Sequence, residues 1–182
     1  MTEDFRWGEH CDSLCNAPLK LLKREDLDPR HPAIEFDNYW SSLNGGEIPA
    51  KEDFSPVDVK PVLKWMMLFE RQMKDSDDQY KLYLQGTSAA ELTNGSLQGQ
   101  YLHEFTNADC YNSRRDLMRY VLKEGKPGFA TAHTAPLKTD SEYSTDVTVG
   151  MFPFRNIEGE CQVFVVPAPV SEKIRGWLNA SW

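Results

Sequence analysis

The spacing of apolar residues along this chain alternates between a helical period and a strand period. The order of those changes limits the possible folds more than any other feature. Phe36, Tyr39, Trp40 and Leu43 fall at i, i+3, i+4 and i+7, one face of a helix. Pro32 suits the first turn of that helix, and Gly45-Gly46 stops it. Val59, Val62, Leu63 and Met66 repeat the spacing in a short second helix, with Asp58 as its candidate cap and Pro61 in its first turn. The period then falls to two. Residues 67–73 and 79–85 read as strands around a turn at 75–78, with Tyr80, Leu82 and Leu84 on one face and Tyr83 on the other.

Residues 86–106 hold only short pieces. Asn107 or Asp109 can then cap a longer helix that ends at Gly125, with Leu117, Met118, Val121 and Leu122 toward the core. Strands follow over 129–134, 143–154 and 161–166, the last two joined by a hairpin at Asn156-Ile157-Glu158-Gly159. Residues 171–182 read as a short amphipathic helix carrying Ile174, Trp177 and Leu178 on one side. A strand pair and a strand triplet separated by helices predict an α+β fold, one antiparallel sheet with helices on one face. The helical insert must cross that face to return to the sheet, which leaves room for a small-molecule cavity beneath it. The expected organisation is a polar, irregular N-terminal extension over 1–31, a domain over 32–169 and a C-terminal tail over 170–182.

Charge and composition narrow the function. Twenty Lys and Arg against 28 Asp and Glu give a net charge of −8 and a pI near 5.0. Such a chain is a poor ligand for polyanions, so nucleic acid and anionic membrane are not expected partners. No run reaches the ~18 apolar residues of a membrane span. The opening MTEDFRWGEH lacks the basic and apolar regions of a signal peptide, so the expected compartment is the cytoplasm. The four cysteines are scattered, which predicts reduced thiols rather than a disulfide framework. His10, Cys11 and Cys15 form the one cluster of metal-ligand type and lack a nearby fourth ligand, so no metal site is expected.

Catalytic signatures are missing as well. Neither the P-loop nor the dinucleotide glycine pattern occurs. Ser96 fails the nucleophile-elbow pattern, because Asn94 stands where its first Gly is needed. The four histidines are dispersed, and Cys110 with His133 is a pair that nothing else in the sequence supports. No catalytic residue is assigned.

Several short pieces, in order, resemble a known family. They are Tyr39-Trp40-Ser41-Ser42-Leu43 with the following Gly45-Gly46 and Pro49, then Asp53-Phe54-Ser55-Pro56. Leu84-Gln85-Gly86-Thr87, Leu97-Gln98-Gly99 and Pro136-Leu137 before the strand around Gly150 complete the series. Together they resemble the bacterial PAS-like family (the PAS_5 group) from Tyr39 to about Pro169. There are departures: the basic residue usual before the Asp-x-x-Pro piece is displaced to Lys51, and Asn94 stands where the family favours Gly. Asn tolerates a left-handed conformation, so the fold survives that change.

The resemblance implies a PAS-like five-stranded antiparallel sheet with helices on one face, beside the N-terminal extension and the C-terminal tail helix. It implies a sensory or regulatory role without catalysis, and it names no cofactor. The flavin-adduct type needs a Cys in an Asn-Cys-Arg-Phe context, which Asn107-Ala108-Asp109-Cys110 does not supply. The haem type needs a His in the long helix, and residues 109–124 contain none.

The expected function is a signalling module that binds a small molecule or a partner protein. The expected ligand pocket takes Leu97, Tyr101, Phe105, Tyr111, Arg115 and Met118 from the insert and Tyr83, His133 and Met151 from the strands. Arg115 would anchor an anionic or hydrogen-bonding ligand. The expected homodimer or partner surface is Phe36, Tyr39, Trp40 and Leu43 with Ile174 and Trp177, although these aromatics could instead cover the open sheet. Two alternatives stand beside this reading. One is a small cone-like α+β enzyme with Asp146 or His133 as a pocket acid or base. The other is a structural adaptor whose core is filled by its own side chains.

Overall fold

A computed structural model of the chain describes residues 18–134 and 145–179. Its centre is an antiparallel sheet of six strands: β1 (Lys20–Leu22), β2 (Met67–Lys74), β3 (Asp77–Gln85), β4 (Gly128–Thr134), β5 (Thr145–Arg155) and β6 (Cys161–Pro169). Their spatial order is β1-β4-β5-β6-β2-β3. The helices are α1 (Pro32–Leu43), α2 (Lys60–Leu63), α3 (Thr87–Leu92), α4 (Ala108–Glu124) and α5 (Glu172–Asn179).

Two features differ from the sequence expectation. The sheet has six strands rather than five, because the apolar stretch inside the extension pairs with β4, Leu21 opposite Ala130. Three residues are too few to show a period of two, so the sequence carries no strand signal there. The helices also cover both faces rather than one. Phe152, Phe154 and Phe164 point toward α1, where Phe36 meets all three with ring centroids 4.8–6.4 Å away. Gly128, opposite Met151 in the ladder, lies against Val121 and Leu117 of α4 instead. Alternation along the strands therefore feeds two apolar layers, one under α1 and one under the insert α3–α4.

Local chemistry accounts for the element ends. His31 caps α1, its Nδ1 accepting from Ala33 N at 3.1 Å. Asn107 caps α4 by accepting from Cys110 N at 2.9 Å, and Gly125 closes that helix at φ +65°. Asp58 caps nothing: it lies inside a 3-10 turn (Pro56–Val59) that leads directly into α2. Asp75 and Ser76, both at positive φ, make the tight turn between β2 and β3.

One register detail moves a predicted site residue. Leu68 pairs with Leu84 and Phe69 with Leu82, so Tyr83 is the extra residue of a β-bulge. Tyr80 and Leu82 are buried as expected, but past the bulge Tyr83 and Leu84 are both exposed.

Candidate functional site

The insert and the sheet enclose a cavity of about 100 Å³. Its floor is Met67 and Phe69 of β2, Val147, Val149 and Met151 of β5, Val165 of β6 and Ala132 of β4. Its roof is Leu92, Leu97, Leu102, Phe105 and Met118. The roof is built from short segments that need specific ties to stay in place. Gln85, at the end of β3, clamps two of them: its amide donates to Thr93 Oγ1 and its oxygen accepts from Leu97 N, both at 2.7 Å. Gly86 lets the chain leave the sheet against α2. A Cβ there would sit 2.4 Å from the carbonyl oxygens of Leu63 and Lys64. Asn94, at φ +58°, adopts the left-handed conformation expected of it.

Polar groups at the cavity are few and already engaged. Thr93 Oγ1 donates to Gly95 O at 2.8 Å and Thr106 Oγ1 to Leu102 O at 2.5 Å. Arg114 Nη1 donates to Cys110 O at 3.3 Å. The walls that a guest molecule would meet are therefore mainly methyl, methylene and thioether groups with two phenyl rings, Phe69 and Phe105.

The residues expected in the pocket divide. Leu97, Phe105, Met118 and Met151 line the cavity. Tyr83 does not, for the bulge turns it outward, where the Lys51 ammonium lies 5.9 Å from its ring. Tyr101 bridges to Lys81 on the outer edge of β3 and hydrogen-bonds Gln72 at 2.9 Å, away from the cavity. Tyr111 is buried but reaches the Asp78 carbonyl at 3.5 Å, and burial raises its phenol pKa. His133 pairs with Asp146 at 2.7 Å, both of them well exposed, so neither residue of the enzyme alternative faces an enclosed site.

Arg115 is not the anchor either. It lies over the Tyr111 ring at 5.2 Å and bonds Asp116 at 3.2 Å. Arg114 takes the place at the cavity wall. Both arginines lie one turn before Met118, Arg114 at i−4 and Arg115 at i−3, so helical spacing alone does not choose between them.

The expected interface residues are mostly core. Phe36 is fully buried and Trp40 nearly so, its indole donating to Pro153 O at 2.9 Å. Tyr39 and Leu43 are half-buried; the Tyr39 hydroxyl accepts from Ser55 N at 2.6 Å. The aromatic face of α1 docks on its own sheet, and an interface built on Phe36 and Trp40 is ruled out by their burial. The side chains of Ile174 and Trp177 lie outside the described residues. Cys161 is a free thiol, whereas Cys110 is disulfide-bonded, so the expectation of reduced thiols fails at Cys110.

Among the described residues no group of His, Cys, Asp and Glu is arranged to hold a metal. No helix among them is long and apolar enough to cross a membrane. No curated protein matches the chain. The family model described as a PAS domain matches residues 28–165, which run from just before α1 through most of β6 and include every roof and floor residue named above. The chain belongs to the PAS domain family.

Proposed function

We propose that this protein is a non-catalytic sensory or regulatory module, cytoplasmic, that holds a small, mainly apolar molecule between α3–α4 and the sheet. Its state passes to a partner protein by association. The observation that carries this reading is the cavity itself. Fourteen of its 17 lining residues are apolar, and its three polar ones are internally hydrogen-bonded. Dry apolar cavities of this order accept small aromatic guests. An anionic ligand, the sequence-level expectation, would find no unused donor from Tyr101, Tyr111 or Arg115 there.

Toluene is a direct probe. It should raise the melting temperature of the wild-type chain saturably and leave Ala132→Leu, whose longer side chain fills the void, unmoved. No shift in the wild type, or equal shifts in both proteins, would overturn the assignment.

A further inference from the structure

Beyond Phe69 the insert-facing side of the sheet turns from apolar to charged. A second pocket of about 330 Å³ lies between the β2–β3 turn, the last turns of α4 and the start of β6. It shares no lining residue with the apolar cavity. Arg71, Arg119 and Lys123 line it against one carboxylate, Asp78.

The three cations are not equivalent. Arg119 is engaged, donating to Asp77 at 2.7 Å and through Nε to Asp78 Oδ1 at 2.6 Å. Asp78 is buried and also accepts from the Tyr80 hydroxyl at 2.9 Å. Arg71 is left over. Its Nε lies 3.3 Å from Asp78 Oδ2 yet is buried with no hydrogen-bond acceptor. Among the described residues its side-chain hydrogen bond goes only to the Met73 thioether, at 3.7 Å from Nη2, a weak acceptor. The Nε is closed to solvent and faces Asp78, so the donor capacity open to a guest lies on the Nη groups. Lys123 is exposed and engages no carboxylate among the described residues. In a chain of net charge −8, two underused cations converge on one concave site.

We propose that this pocket binds a phosphate group through Arg71 and Lys123, with the Ser76 hydroxyl of the β2–β3 turn beside them. The cations approach from a strand and from a helix. A tetrahedral oxyanion presents acceptor oxygens in several directions and can serve both at once. Arg119 and Arg71 together balance the Asp77 and Asp78 charges, which leaves Lys123 as the surplus positive charge facing a guest. Met73 and Leu122 also line the pocket and suit the organic part of a small phosphate ester. Free phosphate and a monoester share the same recognition chemistry.

Calorimetry at fixed ionic strength, with inorganic phosphate and phenyl phosphate as the titrants, separates the two sources. Expected is saturable one-to-one binding that weakens about tenfold or more in Lys123→Gln and in Arg71→Gln. Tighter binding of phenyl phosphate assigns the site to an ester, and equal binding assigns it to the free ion. The free thiol of Cys161 lies in the pocket wall and gives a second readout. Alkylation of residue 161 by iodoacetamide, followed by peptide mass mapping, should slow when phosphate is bound. The proposal is overturned by the absence of saturable binding of either anion, by affinity unchanged in both variants, or by chloride protecting Cys161 equally. Lys123 is a surface residue, so its variant tests the site even where Arg71→Gln perturbs the fold.

Discussion

The two faces of the sheet are packed by different residue types, and they end with different interiors. Under α1 the layer is aromatic. Phe36, Phe54, Phe154 and Phe164 bring their rings within 4.7–6.4 Å of one another. Under the insert the layer is mainly aliphatic and thioether, with Phe69 and Phe105 as its two rings, and about 100 Å³ stays open. A continuous helix of 12 residues can lay bulky rings against the strands in one register. An insert of short pieces tied by Gln85 and Gly86 cannot follow the sheet so closely. The lesson is that one sheet supplies a stiff side and a hollow side, and that a guest molecule belongs to the hollow one.

The largest effect expected from breaking this contrast is at Phe36. Phe36→Ala should cost about 3–5 kcal/mol, because the ring is fully buried among other rings and its neighbours cannot collapse into the space. Met118→Ala on the cavity side should lie nearer 2 kcal/mol, since that side chain already borders a void. Urea denaturation of both variants measures the difference. Equal losses would mean that the two layers are equally tight.

Acid should act first on the stiff side. His31 is buried, its Nε2 bonded to Ala168 O at 3.0 Å and its Nδ1 accepting from Ala33 N. Burial lowers its pKa to about 4 from the usual 6.5, against the smaller opposing effect of the Ala168 bond. Between those values the unfolded chain binds more protons than the folded one. Stability is therefore full above about pH 6.5 and falls as the pH drops toward 4, by on the order of 3 kcal/mol. Asp78 has its own pKa held below the ordinary carboxylate value: burial opposes this, but the bonds from Arg119 and Tyr80 prevail. Its contribution is lost only below about pH 4. His31→Asn keeps a helix-capping side chain that does not titrate. In that variant the loss between pH 6.5 and 4 should disappear; an unchanged slope would place the acid sensitivity elsewhere.

Gly150 tests the tightness of the same side directly. A Cβ there would sit 2.7 Å from the Phe152 ring and 2.9 Å from Ala33. Gly150→Ala should cost about 1–3 kcal/mol through overpacking, measured by the same denaturation. A neutral substitution would show that the aromatic layer yields.

Periodicity made most of the fold legible, but only where segments were long. Pro32, the aromatic spacing and Gly45-Gly46 mark α1, and Asn107 and Gly125 bracket α4. β1, by contrast, is three residues long and exists because β4 offers it an edge. The second layer was hidden for another reason. Alternation shows that β5 and β6 carry apolar residues on both sides, yet it does not say which helix covers which side. The apolar half of the site was readable, since Leu97, Phe105, Met118 and Met151 follow from helix and strand spacing. The polar half was not. One bulge turned Tyr83 outward, an edge bridge drew Tyr101 away, and a shift of one helical position exchanged Arg115 for Arg114.

The smallest expected effect is also the sharpest test of the contrast. Val149 faces the cavity and is almost fully buried, so Val149→Ile adds one methylene to the hollow side. A methylene transferred from water into existing apolar space stabilises by about 0.8 kcal/mol, while overpacking a filled core costs about 1–3 kcal/mol. The sign of the change therefore reports whether the space is there. Val149→Ile should be neutral or slightly stabilising, up to about 0.8 kcal/mol, whereas Gly150→Ala, the neighbouring residue on the opposite face, should destabilise. Toluene should also lift the melting temperature of Val149→Ile less than that of the wild type, because the added methyl occupies part of the guest's volume. If Val149→Ile destabilises the chain as Gly150→Ala does, both sides of the sheet are filled. The protein would then have to act through its surface, without an interior ligand.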